Sequence, residues 1–153
     1  MAKLNVGDKA PDFSLPDQNN RMVSLSDFEG RKLLLYFYPK AETPGCTRQA
    51  ISIRNAAEDL HSAGVAFVGI SPDTPQEQKA FDEKHALGFP LLSDPDHEVA
   101  DAYGVWGTKS VEGRTKEGII RSSFLIDEDG TILQATYNVK PEDTVPKAQE
   151  ALA

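Results

Sequence analysis

Residues 32–46, Lys32-Leu-Leu-Leu-Tyr-Phe-Tyr-Pro-Lys-Ala-Glu-Thr-Pro-Gly-Cys46, decide how this chain folds. Residues 32–38 form a nearly continuous apolar run, the pattern of a strand buried on both faces, as in a parallel sheet. Pro39 ends that strand. After the breaker-rich Thr43-Pro44-Gly45, Ala50, Ile53, Ala57 and Leu60 recur at spacings of three and four, and Gly64 is placed to stop a helix. Cys46 therefore opens a helix just beyond the carboxyl end of a central strand. In open α/β sheets that end is where ligands bind.

Working outward, Val65-Ala-Phe-Val-Gly-Ile-Ser71 reads as a second buried strand. Asp73-Thr74-Pro75 supplies a cap and a first-turn proline for a helix running to about His85. Phe89-Pro-Leu-Leu92 reads as a short strand, Pro95 to Tyr103 as a short helix, and residues 107–118 as a Gly- and Lys-containing loop. Ile119 to Ile126 and Thr131 to Tyr137, joined by Asp127-Glu-Asp-Gly130, form a hairpin, and Pro141 to Leu152 a closing helix. Toward the N-terminus, alternating apolar positions around Asp17-Gln-Asn-Asn20 give a small hairpin. The expected fold is a thioredoxin-like α/β sandwich: a mixed central sheet flanked by helices, preceded by an N-terminal β-hairpin. At 153 residues, with no linker or repeat, one domain over 1–153 is expected.

Composition excludes several classes of function. Sixteen Lys and Arg stand against 24 Asp and Glu, for a net charge of −8, which repels a polyanion and argues against nucleic acid. No apolar run approaches the roughly 20 residues that cross a bilayer, and the first residues lack the apolar core of a secretory signal, so a cytoplasmic protein is expected. The lone cysteine cannot form an internal disulfide. It must be inert, intermolecular or reactive. His61, His85 and His97 have no metal-ligand spacing, and the glycines at 104, 107, 113 and 118 no phosphate-binding pattern, so neither a metal nor a cofactor is expected.

The nucleophile of thiol chemistry is the thiolate, and a free thiol with pKa about 8.5 is only a few per cent ionised at neutral pH. The first turn of a helix favours an anion by about 0.3–1 kcal/mol, and by up to about 2 when partly buried. A nearby cation is needed for more. A lone cysteine is by general habit a small buried hydrophobe, but the position of Cys46 favours a reactive one.

The segment Tyr36-Phe-Tyr-Pro-Lys-Ala-Glu-Thr-Pro-Gly-Cys-Thr47 carries Pro39, Thr43 and Cys46 as Pro-x-x-x-Thr-x-x-Cys. In this it resembles the peroxiredoxins, and among them the Q-type, or bacterioferritin-comigratory, branch. The likeness runs through nearly the whole chain, including residues 7–15, Val68-Gly-Ile-Ser71, Phe89-Pro-Leu-Leu-Ser-Asp94, Tyr103-Gly-Val-Trp-Gly107 and Gly118 to Asp127. The resemblance implies a thiol-dependent peroxidase in which Cys46 attacks hydrogen peroxide or an organic hydroperoxide and becomes a sulfenic acid. It implies that Thr43 holds the peroxide through its hydroxyl and that the N–H groups of Gly45 and Cys46 add donors. Pro39, having no N–H, would screen the thiolate, and Arg121 would supply the permanent positive charge. Arg121 falls in an apolar strand on the reading above, where a buried cation calls for a nearby anion. For Thr43 a helix cap is the competing role, and for Trp106 packing near the site.

The chain departs from the family pattern at one place. Many Q-type members carry a resolving cysteine five positions after the first, and here that position is Ile51. The sulfenic acid must then be reduced by an external thiol: thioredoxin, a glutaredoxin-like protein or a low-molecular-weight thiol. A slow resolving step also exposes Cys46 to further oxidation. The resemblance favours a monomer. The competing class is a thioredoxin-like redox sensor without turnover, which needs the thiolate but not a peroxide clamp built from Thr43 and Arg121.

Overall fold

The computed structural model describes residues 3–111 and 113–152; the ends of the expected 1–153 unit and residue 112 of the expected loop lie outside the described residues. Strand β3 (Lys32–Phe37) is the centre of a five-stranded mixed sheet. Parallel to it run β4 (Val65–Ser71) and then β5 (Leu91–Ser93), and on its other side lie antiparallel β8 (Ser122–Ile126) and β9 (Ile132–Thr136), in the order β5-β4-β3-β8-β9. The unbroken apolar run now has its explanation. Leu33, Leu35 and Phe37 join Val68, Ile70 and Phe124 on one face, while Leu34, Tyr36 and Tyr38 join Phe67, Phe81 and Leu125 on the other.

Helices α1 (Pro44–Asn55), α2 (Ala57–Ser62), α3 (Pro75–His85) and α5 (Thr144–Leu152) cover the second face through Ile53, Leu60, Phe81 and Ala148. The first face is closed by the antiparallel hairpin β1 (Ser14–Pro16) and β2 (Met22–Ser24) and by short α4 (Glu98–Ala102), through Phe13, Val99 and Tyr103. Thr74 caps α3 as expected, accepting from Glu77 N–H at 3.2 Å while the Glu77 carboxylate accepts from Thr74 N–H at 2.9 Å. These hydrogen bonds hold the Glu77 carboxyl below its ordinary pKa.

Three expectations need correction. The helix drawn from Cys46 to Gly64 is broken at Ala56, whose φ of −92° and ψ of 1° divide it into α1 and α2. The expected loop 107–118 is a hairpin, β6 (Trp106–Val111) with β7 (Arg114–Ile119), paired from Trp106–Ile119 outward. Its arms have no apolar alternation because they join no large sheet, so the usual strand signal is missing. The strand drawn from Ile119 to Ile126 is consequently two: Ile119 ends β7, β8 begins at Ser122, and Arg121 stands at the joint. Ile120 N–H donates to Val105 O at 2.7 Å and Val139 N–H to Arg121 O at 2.8 Å, fixing that joint from both sides.

One close approach sets the spacing of the central strands. Gly69 lies opposite Tyr36 in the parallel register, and a Cβ at Gly69 would sit 2.8 Å from the Tyr36 Cζ. Gly69→Ala is therefore expected to destabilise the fold by about 1–3 kcal/mol, as overpacking of a filled core does, read as a lowered urea midpoint at unchanged slope.

Candidate active site

Thr43 is the N-cap of α1, with φ −77° and ψ 152°, and Thr47 N–H to Thr43 O at 2.9 Å is the first hydrogen bond of the helix. Pro44 has no N–H. The N–H groups of Gly45 and Cys46 thus lack an intrahelical acceptor and remain as donors at the positive end of the helix. The Thr43 side chain makes no capping bond; its hydroxyl donates to Lys40 O at 2.7 Å, which leaves the oxygen's lone pairs as acceptors.

Cys46 is a free thiol, 1% exposed. Arg121 Nη2 lies 3.3 Å from its Sγ, while Nη1 donates to Gln49 Oε1 at 2.6 Å. Gln49 in turn donates to Thr144 Oγ1 at 2.8 Å, with both Gln49 and Thr144 fully buried. The guanidinium is half-buried, and no carboxylate among the described residues pairs with it. Where the sequence called for an anion the structure places the Cys46 sulfur, and a cationic donor in general binds a thiolate more strongly than a thiol. Gly45 makes the approach possible. A Cβ there would stand 3.0 Å from Arg121 Nη2, so the guanidinium would have to give by a few tenths of an ångström.

The loop between β3 and α1 is held from the other side. Ala41 N–H donates to Asp73 Oδ2 at 2.7 Å, and Ser71 Oγ donates to the same oxygen at 2.6 Å. Gln78 Nε2 donates to Ser71 Oγ at 2.8 Å, and Tyr38 OH to Gln78 Oε1 at 2.5 Å. Tyr36 and Tyr38 wall the cysteine within the same apolar cluster. Burial pushes the pKa of both phenols well up, so neither serves as a base near neutral pH.

Two cavities open beside this group, of about 580 Å³ and 300 Å³. They share Pro39 and Ile119; Arg121 lines the larger and Trp106 the smaller. Trp106 stacks on His97 with ring centroids 3.9 Å apart and packs against the core, the packing role expected of it.

The structure thus brings Cys46, Gly45 and Arg121 into one cluster, sets Thr43 at the head of the same helix, and puts Pro39 in the cavity wall beside Arg121. Sequence reasoning missed Gln49 and Thr144. A signal existed for Gln49, which stands three residues after Cys46 and so on the same face of α1, a polar residue among apolar positions. Arg54 is turned away, donating to His85 O at 2.7 Å.

Comparison with known proteins identifies the family. The sequence profile of the AhpC/TSA family matches residues 6–135. Peroxiredoxin Bcp of Escherichia coli is 54% identical over 132 residues, covering 86% of this chain and 85% of that protein. Among solved structures, peroxidoxin BcpB of Mycobacterium tuberculosis superposes with a TM-score of 0.85 at 34% identity, covering 96% of this chain and 95% of that one. Peroxiredoxin Q of Xanthomonas campestris gives 0.85 at 31%, covering 92% and 89%. No helix among the described residues is long and apolar enough to cross a membrane. With its thioredoxin-like mixed sheet and relatives of this similarity, the chain belongs to the AhpC/TSA family, in the Bcp branch of the peroxiredoxins, and is a thiol-dependent peroxidase.

Proposed function

We propose that Cys46 is the peroxidatic residue and that this enzyme works by a one-cysteine mechanism on hydrogen peroxide and organic hydroperoxides. The observation that carries the proposal is the 3.3 Å contact between Arg121 Nη2 and Cys46 Sγ at the head of α1. The thiolate attacks one peroxide oxygen in line with the O–O bond. An S–O bond forms, the O–O bond breaks, and the departing oxygen takes up a proton to leave as water or an alcohol. Charge grows on that oxygen, and Arg121 with the N–H groups of Gly45 and Cys46 stabilises it. Thr43 Oγ1 accepts the hydrogen bond of the peroxide's terminal O–H. Pro39 keeps bulk water and competing N–H donors from the sulfur.

The chain has no second cysteine, so the resulting sulfenic acid is reduced by a thiol from outside it. Arg121 and Thr43 together favour this reading over a sensor, which has no use for a peroxide clamp. One thioredoxin-like unit over 1–153, acting as a monomer in the cytoplasm, belongs to the same proposal; a lone unpaired thiol suits a reducing compartment.

The test is rapid mixing of reduced protein with equimolar hydrogen peroxide, followed by Trp106 fluorescence and intact mass. Gain of one oxygen on Cys46, orders of magnitude faster than on free cysteine, supports the proposal; oxidation no faster than free cysteine overturns it. With excess peroxide and no reductant, Cys46 is expected to proceed to the sulfinic acid and activity to be lost. Spectra that stop at one added oxygen contradict that expectation.

A further inference from the structure

One buried carboxylate takes no direct part in the peroxide chemistry. Asp73 is 8% exposed and pairs with no cation among the described residues. Taking such a group out of water is costly unless hydrogen bonds replace the solvent. Here a single oxygen, Oδ2, accepts two of them, from Ser71 Oγ at 2.6 Å and from Ala41 N–H at 2.7 Å. The Ser71 bond stays within the stretch that leads from β4 into α3. The Ala41 bond crosses to the loop that carries Thr43.

Ala41 N–H and the Lys40 carbonyl belong to one planar peptide unit, so neither turns without the other. On the far side of that plane Lys40 O accepts the Thr43 hydroxyl at 2.7 Å. Asp73 and Thr43 are thus joined through a single rigid peptide. Between them the backbone bends at Glu42, whose φ of 72° is left-handed in a residue other than glycine, a conformation that persists only where its surroundings hold it. Lys84, near the far end of α3, holds the Glu42 carboxylate at 3.1 Å. The Thr43 oxygen has two competing uses. The usual one for an N-cap threonine is to accept from N–H groups of the first turn, yet Thr43 makes no such bond. A hydroxyl released from Lys40 O is free to take up that cap, which would occupy both the acceptor and the Gly45 and Cys46 donors that a peroxide needs. We propose that Asp73 is a positioning residue for the peroxidase reaction. By fixing the Lys40–Ala41 peptide it keeps the Thr43 proton on Lys40 O and the Thr43 oxygen open to the peroxide O–H. The inference rests on the peroxide-binding role of Thr43 given under the proposed function.

The experiment mixes reduced full-length protein rapidly with hydrogen peroxide and follows the gain of oxygen on Cys46, for wild type, Asp73→Ala, Asp73→Asn, Thr43→Val and the double variant Thr43→Val/Asp73→Ala. Asp73→Ala is expected to slow oxidation about tenfold, the effect of losing one oriented hydrogen bond. Asp73→Asn retains an oxygen for Ala41 N–H and should stay within about threefold of wild type. The double variant should be no more than about twofold slower than Thr43→Val alone, since both changes remove the same interaction. The pH midpoint of thiolate absorbance should not move in Asp73→Ala, because the contact of Arg121 with Cys46 is untouched. Should Asp73→Ala fail to fold, Asp73→Leu, of similar shape but without an acceptor, takes its place in each comparison. A wild-type rate in Asp73→Ala overturns the inference, as do losses that multiply in the double variant or a thiolate midpoint that shifts with Asp73. If Thr43→Val alone oxidises as fast as wild type, it is the peroxide-binding role of Thr43 that fails, and this inference falls with it.

Discussion

Cys46→Ser is expected to lower kcat/KM for hydrogen peroxide by at least about 10⁴-fold, leaving only the background reaction of the reductant with peroxide. A serine hydroxyl at this position stays protonated at neutral pH and is a poor nucleophile toward an O–O bond. No other thiol in the chain can substitute, since Cys46 is the only cysteine. The fold should survive. The replacement is nearly isosteric, and Arg121 Nη2 still finds an oxygen near the place of the sulfur at 3.3 Å, so the stability change should stay within about 1 kcal/mol. Coupled peroxidase assays beside urea denaturation check both halves, and a variant that is folded and still active contradicts the assignment of Cys46.

Arg121→Met is expected to cost about 10²–10³ in kcat/KM, the usual loss when one donor to a developing oxyanion is removed, or about 2.7–4 kcal/mol. Arg121→Lys should recover only part of it. The guanidinium holds Gln49 Oε1 at 2.6 Å with one nitrogen and Cys46 Sγ at 3.3 Å with another. An ammonium is a point charge on a flexible stem and cannot hold both in the same fixed geometry. Thiolate absorbance in the far ultraviolet separates the two functions: it should fall in Arg121→Met and persist partly in Arg121→Lys. Equal rates for wild type and Arg121→Met would show that the helix N-terminus alone sustains the chemistry.

Much of the fold was legible because burial leaves a mark on composition. The apolar run 32–38 identified the central strand, Val65–Ser71 its parallel neighbour, and Thr74-Pro75 the start of α3, since these residues are chosen by local chemistry or by a core on both faces. The β6–β7 hairpin was not legible, because a two-stranded arm outside the main sheet has no buried face to impose a period of two. The break at Ala56 has no glycine or proline to announce it. At the site, Cys46, Thr43 and Pro39 lie within eight residues and could be read together. Arg121 was recognised by family resemblance, but its setting was misjudged: it occupies a joint between strands, where a half-buried cation is more easily accommodated than inside one. Gln49 and Thr144 were out of reach, since their contact joins residues 95 apart in sequence.

The chain of contacts from Thr144 through Gln49 to Arg121 and Cys46 joins residues that leave the ribosome at quite different times. A ribosome releases the cysteine-bearing segment early, the arginine 75 positions later, and the threonine that steadies the assembly only near the end. On the proposed assignment of Cys46, a chain still being made carries the thiol without its cation, so fast reaction with peroxide is expected only once Arg121 has been added and the two have come together.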